Sequence, residues 1–352
     1  MITPDAYQRC RTAGPATLGA LLALSACAGS ASTPVSPGLQ PATAVKAKAP
    51  WQRLASPQCP CLYVADRGKQ SVTIYPAGAA GNTAPVASIT GSNTGLNRPW
   101  GVALDASANL YVTSTQDNSV VVFAPGATGN VAPTSTISGP STGLDSPSGI
   151  ALDGDRNMYV VNYSTNAVSV FAAGSSGDVA PVQNIAGPET GLVAPTGIAL
   201  DAAGNMYVTN SHGNSVVVFG AGSSGNVAPI QTIGGSNTML SAPTGVALDE
   251  SGNIYVTNSG EYGSLSGEYS VTVYAAGANG NVAPIATIAG KKARLKDSYG
   301  IVRDATGSIH VANFSLNDVA TYAAGAAGNV KPISVLKGGK TTLKEPVGIT
   351  IQ

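Results

Sequence analysis

One phrase, written six times, limits what this chain can fold into. Gly101-Val-Ala-Leu-Asp105 returns as Gly149-Ile-Ala-Leu-Asp153, Gly197-Ile-Ala-Leu-Asp201 and Gly245-Val-Ala-Leu-Asp249. It returns degraded as Gly300-Ile-Val-Arg-Asp304 and Gly348-Ile-Thr-Ile-Gln352. The spacings are 48, 48, 48, 55 and 48 residues. A unit of this length, repeated without interruption, buries its apolar faces against copies of itself.

Each unit reads as four short strands. In the stretch 149–187 they are Gly149-Ile-Ala-Leu-Asp153, Met158-Tyr-Val-Val-Asn162, Val168-Ser-Val-Phe171 and Val182-Gln-Asn-Ile185. Between them stand turns rich in Gly, Asn, Asp and Ser, and no helical apolar period occurs after residue 60. The expected fold class is all-β, a six-bladed β-propeller of four-stranded blades. The first repeat lacks its opening strand and begins at Leu62, while the last supplies only that strand, Gly348 to Gln352. The C-terminal strand is therefore expected to pair into the N-terminal blade and close the ring, removing two open sheet edges.

The run Pro-x-Gly-Ile/Val-Ala-Leu-Asp, Gly-Asn-x-Tyr-Val-x-Asn, Asn-x-Val-x-Val-Phe resembles the NHL repeat, most cleanly over Pro195 to Phe219. The resemblance covers residues 62–352. It implies the propeller and leaves function open, because NHL-like propellers host scaffolds, RNA binders, lyases and lactonases.

The N-terminus reads differently. Arg9 and Arg11 precede Leu18-Gly-Ala-Leu-Leu-Ala-Leu24, a secretory signal too short to span a bilayer. Leu24-Ser-Ala-Cys27 resembles a bacterial lipobox, which implies acylation of Cys27; ordinary cleavage near Ala26 or Ala28 is the alternative. The expected organisation is a signal peptide at 1–26, a lipidated Cys27 with a flexible tether at 27–58, and the propeller at 59–352. The tether is rich in Ala, Ser, Pro and Thr, a composition that does not pack. Ala28, in place of Asp, favours the outer membrane by resemblance to sorted lipoproteins.

Composition narrows the partners. Eighteen Lys and Arg balance eighteen Asp and Glu, and charged residues are 10% of the chain. A neutral chain lacks the broad basic face that phosphate neutralisation needs, so no nucleic-acid partner is expected. Basic residues do cluster locally, as Lys291, Lys292, Arg294 and Lys296, and as Lys337, Lys340 and Lys344. They fall in connectors at one end of the ring, as a solvated patch or an anion site. Cys59-Pro-Cys61 spaces two thiols poorly for a disulfide, and two thiols fall short of a zinc site.

Several motifs carry less than they suggest. Gly220-Ala-Gly-Ser-Ser-Gly225 matches a dinucleotide fingerprint, but a strand follows it where a helix is needed. Asp153-Gly-Asp-Arg-Asn157 resembles the start of a calcium loop without its later ligands, so the Asp reads as a turn cap. His212 falls in the turn after a second strand, and His310 replaces the recurrent Tyr159 and Tyr207, a packing position. Neither a Ser-His-Asp set nor a metal-binding pair is readable, and no cofactor is expected.

Antiparallel strands put the turn after strand two and the blade connectors on one face. The residues opening each inner strand there are Trp100, Ser148, Thr196, Thr244, Tyr299 and Val347, which are expected to ring the channel mouth as a ligand-binding surface. Enzymes of this architecture usually carry carboxylates or imidazoles there to hold a metal; hydroxyls, aromatics and an aliphatic fit a divalent cation poorly. Repeat five adds seven residues on the same face, an inserted loop with Glu261, Tyr262, Glu268 and Tyr269. These features point to a monomeric, lipid-anchored envelope propeller that binds a small ligand or a protein. The alternative is a propeller enzyme of the virginiamycin B lyase or lactonase type. Lyase-like repeats usually end the second strand with an acid; here that ring is Asp66, Ser114, Asn162, Asn210, Asn258 and Asn313.

Overall fold

Every repeat turns its short β-branched runs into four antiparallel strands. The computed structural model describes residues 61–260 and 269–352. The expected signal peptide, Cys27, the tether, Cys59, and Glu261, Tyr262 and Glu268 of the insertion lie outside the described residues. Among the described residues, twenty-four strands form six four-stranded sheets, the blades of a β-propeller. Blade 2 shows the pattern: an inner strand Pro99–Leu104, a second Leu110–Ser114, a third Ser119–Phe123 and an outer Ser135–Ile137. Blades 3 to 6 open with inner strands Pro147–Leu152, Pro195–Leu200, Pro243–Leu248 and Ser298–Arg303.

Closure is as the sequence implied. The last strand, Pro346–Ile351, pairs antiparallel with Cys61–Asp66 and becomes the inner strand of blade 1. The second and third strands are buried along almost their whole length. Six apolar clusters lie mostly at the blade junctions; one joins Tyr207 and Val218 of blade 4 to Val256 and Tyr274 of blade 5.

Two circuits of backbone contact explain the most persistent letters of the repeat. At the centre, neighbouring inner strands meet backbone to backbone. A Cβ on Gly101, Gly149, Gly197, Gly245, Gly300 or Gly348 would stand closer than 3.0 Å to the carbonyl of Ser148, Thr196, Thr244, Tyr299, Val347 or Trp100 in turn. The six contacts run once round the ring, so each of these positions must be Gly through close approach. At the rim, each Gly-rich loop docks on the outer strand of the preceding blade. Gly129 donates to the Ser88 carbonyl at 2.7 Å and accepts from Thr90 N–H at 3.1 Å, and six such bridges complete the second circuit. The loop thereby pairs a sheet edge that would otherwise be open. Gly220 to Gly225 belongs to this device: Gly225 donates to the Asn184 carbonyl at 2.7 Å.

Asp105 shows the role of the recurrent Asp. Its Oδ1 accepts from Ser107 N–H and Asn109 N–H at 2.9 and 2.8 Å, and its Oδ2 from the Asn109 amide at 2.8 Å. This is a turn cap, repeated at Asp153, Asp201, Asp249 and Asp304. In blade 6, His310 takes the place of Tyr and keeps its contact: Nε2 lies 3.0 Å from Asp304 Oδ2, while Nδ1 lies 3.1 Å from Thr321 Oγ1. Burial pushes the Asp304 carboxyl up, but hydrogen bonds from Thr306, His310 and Ser308 outweigh it and hold the group at about 2.

Candidate functional site

The turns after the second strands and the blade connectors share the upper face. There they surround a depression of about 910 Å³. Below it the central channel narrows to about 80 Å³. Trp100, Thr196, Thr244 and Tyr299 line both spaces, Ser148 the depression and Val347 the channel. The structure thus places all six inner-strand residues about the channel mouth.

They are unequal once there. Ser148, Thr196, Thr244 and Val347 are buried, and the three hydroxyls are engaged between blades. Thr196 Oγ1 lies 3.1 Å from the Pro243 and Thr244 carbonyls of the next blade. Thr244 Oγ1 donates to the Ser298 carbonyl at 2.7 Å, and Ser148 Oγ reaches the Pro195 carbonyl at 3.4 Å. A hydroxyl has one proton, so these residues fasten blades and leave little for a ligand. Thr113, Thr209 and Thr257 do the same from the second strand, donating to the carbonyls of Ser148, Thr244 and Tyr299 at 2.7, 2.6 and 2.7 Å. Trp100 and Tyr299, both half-buried, bring the aromatic faces of this ring to the depression.

A second ring, above the first, supplies the rest of the wall. It is the residue after each second strand: Arg67, Thr115, Tyr163, Ser211, Ser259 and Phe314. All but Arg67 line the depression. The hydroxyls of Thr115, Ser211 and Ser259 donate to the carbonyls of Pro147, Ala194 and Ala242 at 2.8, 2.8 and 3.0 Å. The sequence signal for this ring was the fixed register after Asn162, Asn210, Asn258 and Asn313.

The aromatic groups gather on two sides. Trp100 and Tyr299 meet edge to face at 5.1 Å, and Tyr299 meets Phe314 at 5.5 Å. The Arg67 guanidinium sits 5.7 Å from the Trp100 ring and 5.8 Å from Phe314, joining the cluster by cation–π contact. Across the depression, Tyr163 packs edge-on against His212 at 6.0 Å, its hydroxyl 3.4 Å from Nε2. Lys296, Asp297 and Ser315 line the depression with Tyr299 and Tyr269, and Ser315 donates to the Asp297 carboxylate. Burial, then the Asp297 charge, pushes the Tyr269 phenol up. Tyr269 is the one inserted-loop candidate among the described residues, and it lines the depression.

The acid-like ring at the ends of the second strands is structural. Asn162, Asn210 and Asn258 are fully buried, and their Oδ1 atoms accept from the connector amides of Asp145, Val193 and Ser241, each at 3.1 Å. Asp66 stands in the same place in blade 1 and accepts from Lys344 N–H at 2.9 Å. Burial pushes its carboxyl up to about 7.

Among the described residues no three His, Cys, Asp or Glu side chains come together as a metal site. The inner ring at the channel mouth is aromatic, hydroxylic and aliphatic, a set that fits a hard divalent cation poorly.

Residues 62–232 match the family model of the SMP-30/gluconolactonase/LRE-like region. No curated protein sequence matches the chain. Among solved structures, a chain of a nidogen/laminin complex superposes with a TM-score of 0.60 at 18% identity, over 83% of this chain and 98% of that one. A protein of unknown function from Bacteroides caccae gives 0.60 at 11%, with the same coverage. Virginiamycin B lyase from Staphylococcus aureus gives 0.50 at 13%, over 74% of this chain and 75% of that one. At these identities the likeness is one of fold.

Proposed function

We propose that the protein is an NHL-type, lipid-anchored propeller of the bacterial envelope that captures a ligand in the upper depression. One observation carries the reading. The small hydroxyls of both rings are committed to backbone carbonyls, while Trp100, Tyr299, Phe314, Tyr163 and His212 line the space with partly or fully exposed rings. Rigid aromatic faces give contact area at low entropic cost, and the neighbouring Lys296 and Asp297 supply polar contacts. Cys61 opens blade 1 on the lower face, the face opposite the depression.

Two substitutions, one in the inner ring and one in the outer, test the site. Trp100→Ala and Tyr163→Ala should each weaken capture of an envelope ligand at least tenfold, about the weight of one aromatic contact. Melting should change little for Tyr163→Ala, whose ring contact is with the exposed His212. Full binding by both variants would place the site elsewhere. The anchor has its own test: Cys27→Ser should release a membrane-pelleting protein, because stable attachment takes more than one acyl chain.

The family match over residues 62–232 favours a second reading, a hydrolytic or lyase propeller. Turnover of a lactone or a depsipeptide by the purified chain, lost on His212→Ala, would support it.

A further inference from the structure

The six blade connectors are equivalent in the fold and unequal in charge. Connector 91–98 has one charged residue, Arg98; 139–146 has Asp145; 187–194 has Glu189; 235–242 has none. The two that flank blade 6 differ. Residues 290–297 carry Lys291, Lys292, Arg294 and Lys296, and residues 337–345 carry Lys337, Lys340 and Lys344. Seven of the chain's eighteen basic residues thus lie on two adjacent loops of one face.

Arg294 is set apart from the others. It pairs at 2.9 Å with Asp318, whose side chain is fully buried, and so neutralises an internal charge. The six lysines are exposed, and among the described residues none of them forms an ion pair. The acids on these connectors are Asp297, hydrogen-bonded to Ser315, and Glu345. The arc adjoins the aromatic side of the depression: Lys296 lines it beside Tyr299, and the Arg67 guanidinium lies between Trp100 and Phe314. Stacking surface and positive potential therefore occupy the same half of the upper face.

We propose that this face binds an acidic polysaccharide, one end seated against the aromatic cluster and its anionic groups running over the lysine arc. The proposal rests on the reading of the depression as the ligand site. Sugar rings stack on aromatic faces within a concavity, and flexible lysines meet anionic groups spaced along a chain. A flat anionic bilayer would meet the rim without entering the depression.

The test measures binding of the full chain to polygalacturonate and heparin, with dextran, oligo-dT and phosphatidylglycerol vesicles as comparators. One variant, K291Q/K292Q/K337Q/K340Q, changes only exposed side chains; the other is Trp100→Ala. The acidic polysaccharides should bind, and affinity should fall about tenfold or more in each variant, and with rising salt in the wild type. Dextran should not bind. Equal binding of dextran and polygalacturonate, lost in Trp100→Ala and kept in the lysine variant, would overturn the acidic ligand and leave the aromatic site standing. Preference for oligo-dT or vesicles, insensitive to Trp100→Ala, would assign the lysines to another partner and overturn the proposal. Absence of binding to both acidic polysaccharides would overturn it as well.

Discussion

At the residue scale, the repeat conserves contacts more than chemistry. Gly245 shows the point. A Cβ there would meet the Tyr299 carbonyl, Thr257 Oγ1 and Ile301 Cγ2 together, two of them on the next blade. Gly245→Ala should cost about 1–3 kcal/mol by overpacking. Gly154→Ala, in a turn with open space around it, should leave the melting temperature nearly unchanged. Asp66 makes the opposite case, a residue that departs from the repeat at a cost. Its carboxyl rises from 3.8 to about 7, so between these pH values the folded chain holds a proton that the unfolded chain has released. Stability from this group is therefore fullest below about pH 4 and falls as pH rises towards 7. Asp66→Asn restores the residue found at 162, 210, 258 and 313. It should stabilise the protein by roughly 1–3 kcal/mol at pH 8 and by almost nothing at pH 4. Denaturant titrations at the two pH values check this; an equal gain at both would point to packing.

At the element scale, the strands were legible because Val, Ile and Tyr alternate with turn residues at fixed offsets, and because the missing first strand and the surplus last strand are complementary. The two circuits between blades were not. Gly in the inner strand and the Gly-rich loop both read as turn chemistry, since their partners lie one repeat away. The same limit applies to the site. The inner ring could be placed from topology, but which of its members remain available could not, because that depends on hydroxyl donors crossing to the next blade. Arg67 and Phe314 were hidden differently, each replacing a small or hydroxylated residue in a turn that varies freely. Closure gives a sharp test at this scale. Val347 is fully buried and Ile349 nearly so in the closing strand. Removing residues 346–352 bares the inner edge of the Cys61–Asp66 strand, which stays paired only with Ser71–Pro76, and should cost several kcal/mol or cause aggregation. A truncated chain that melts like the full one would contradict the paired ring.

At the scale of the whole molecule, the propeller presents two dissimilar faces. The lower carries the capped Asp turns, the Gly-rich loops and the entry of the chain at Cys61. The upper carries the depression, the aromatic cluster and the lysine arc. Such a division gathers the aromatic and basic groups that could meet a ligand on one face. Hydrogen–deuterium exchange of the full chain, with and without envelope polysaccharide, tests this division most directly. The expected result is protection confined to the upper connectors and turns, around residues 96–100, 163–166, 211–214, 294–299 and 314–317. Protection of the lower loops at 76–86 or 124–134, with the upper face unchanged, would contradict it.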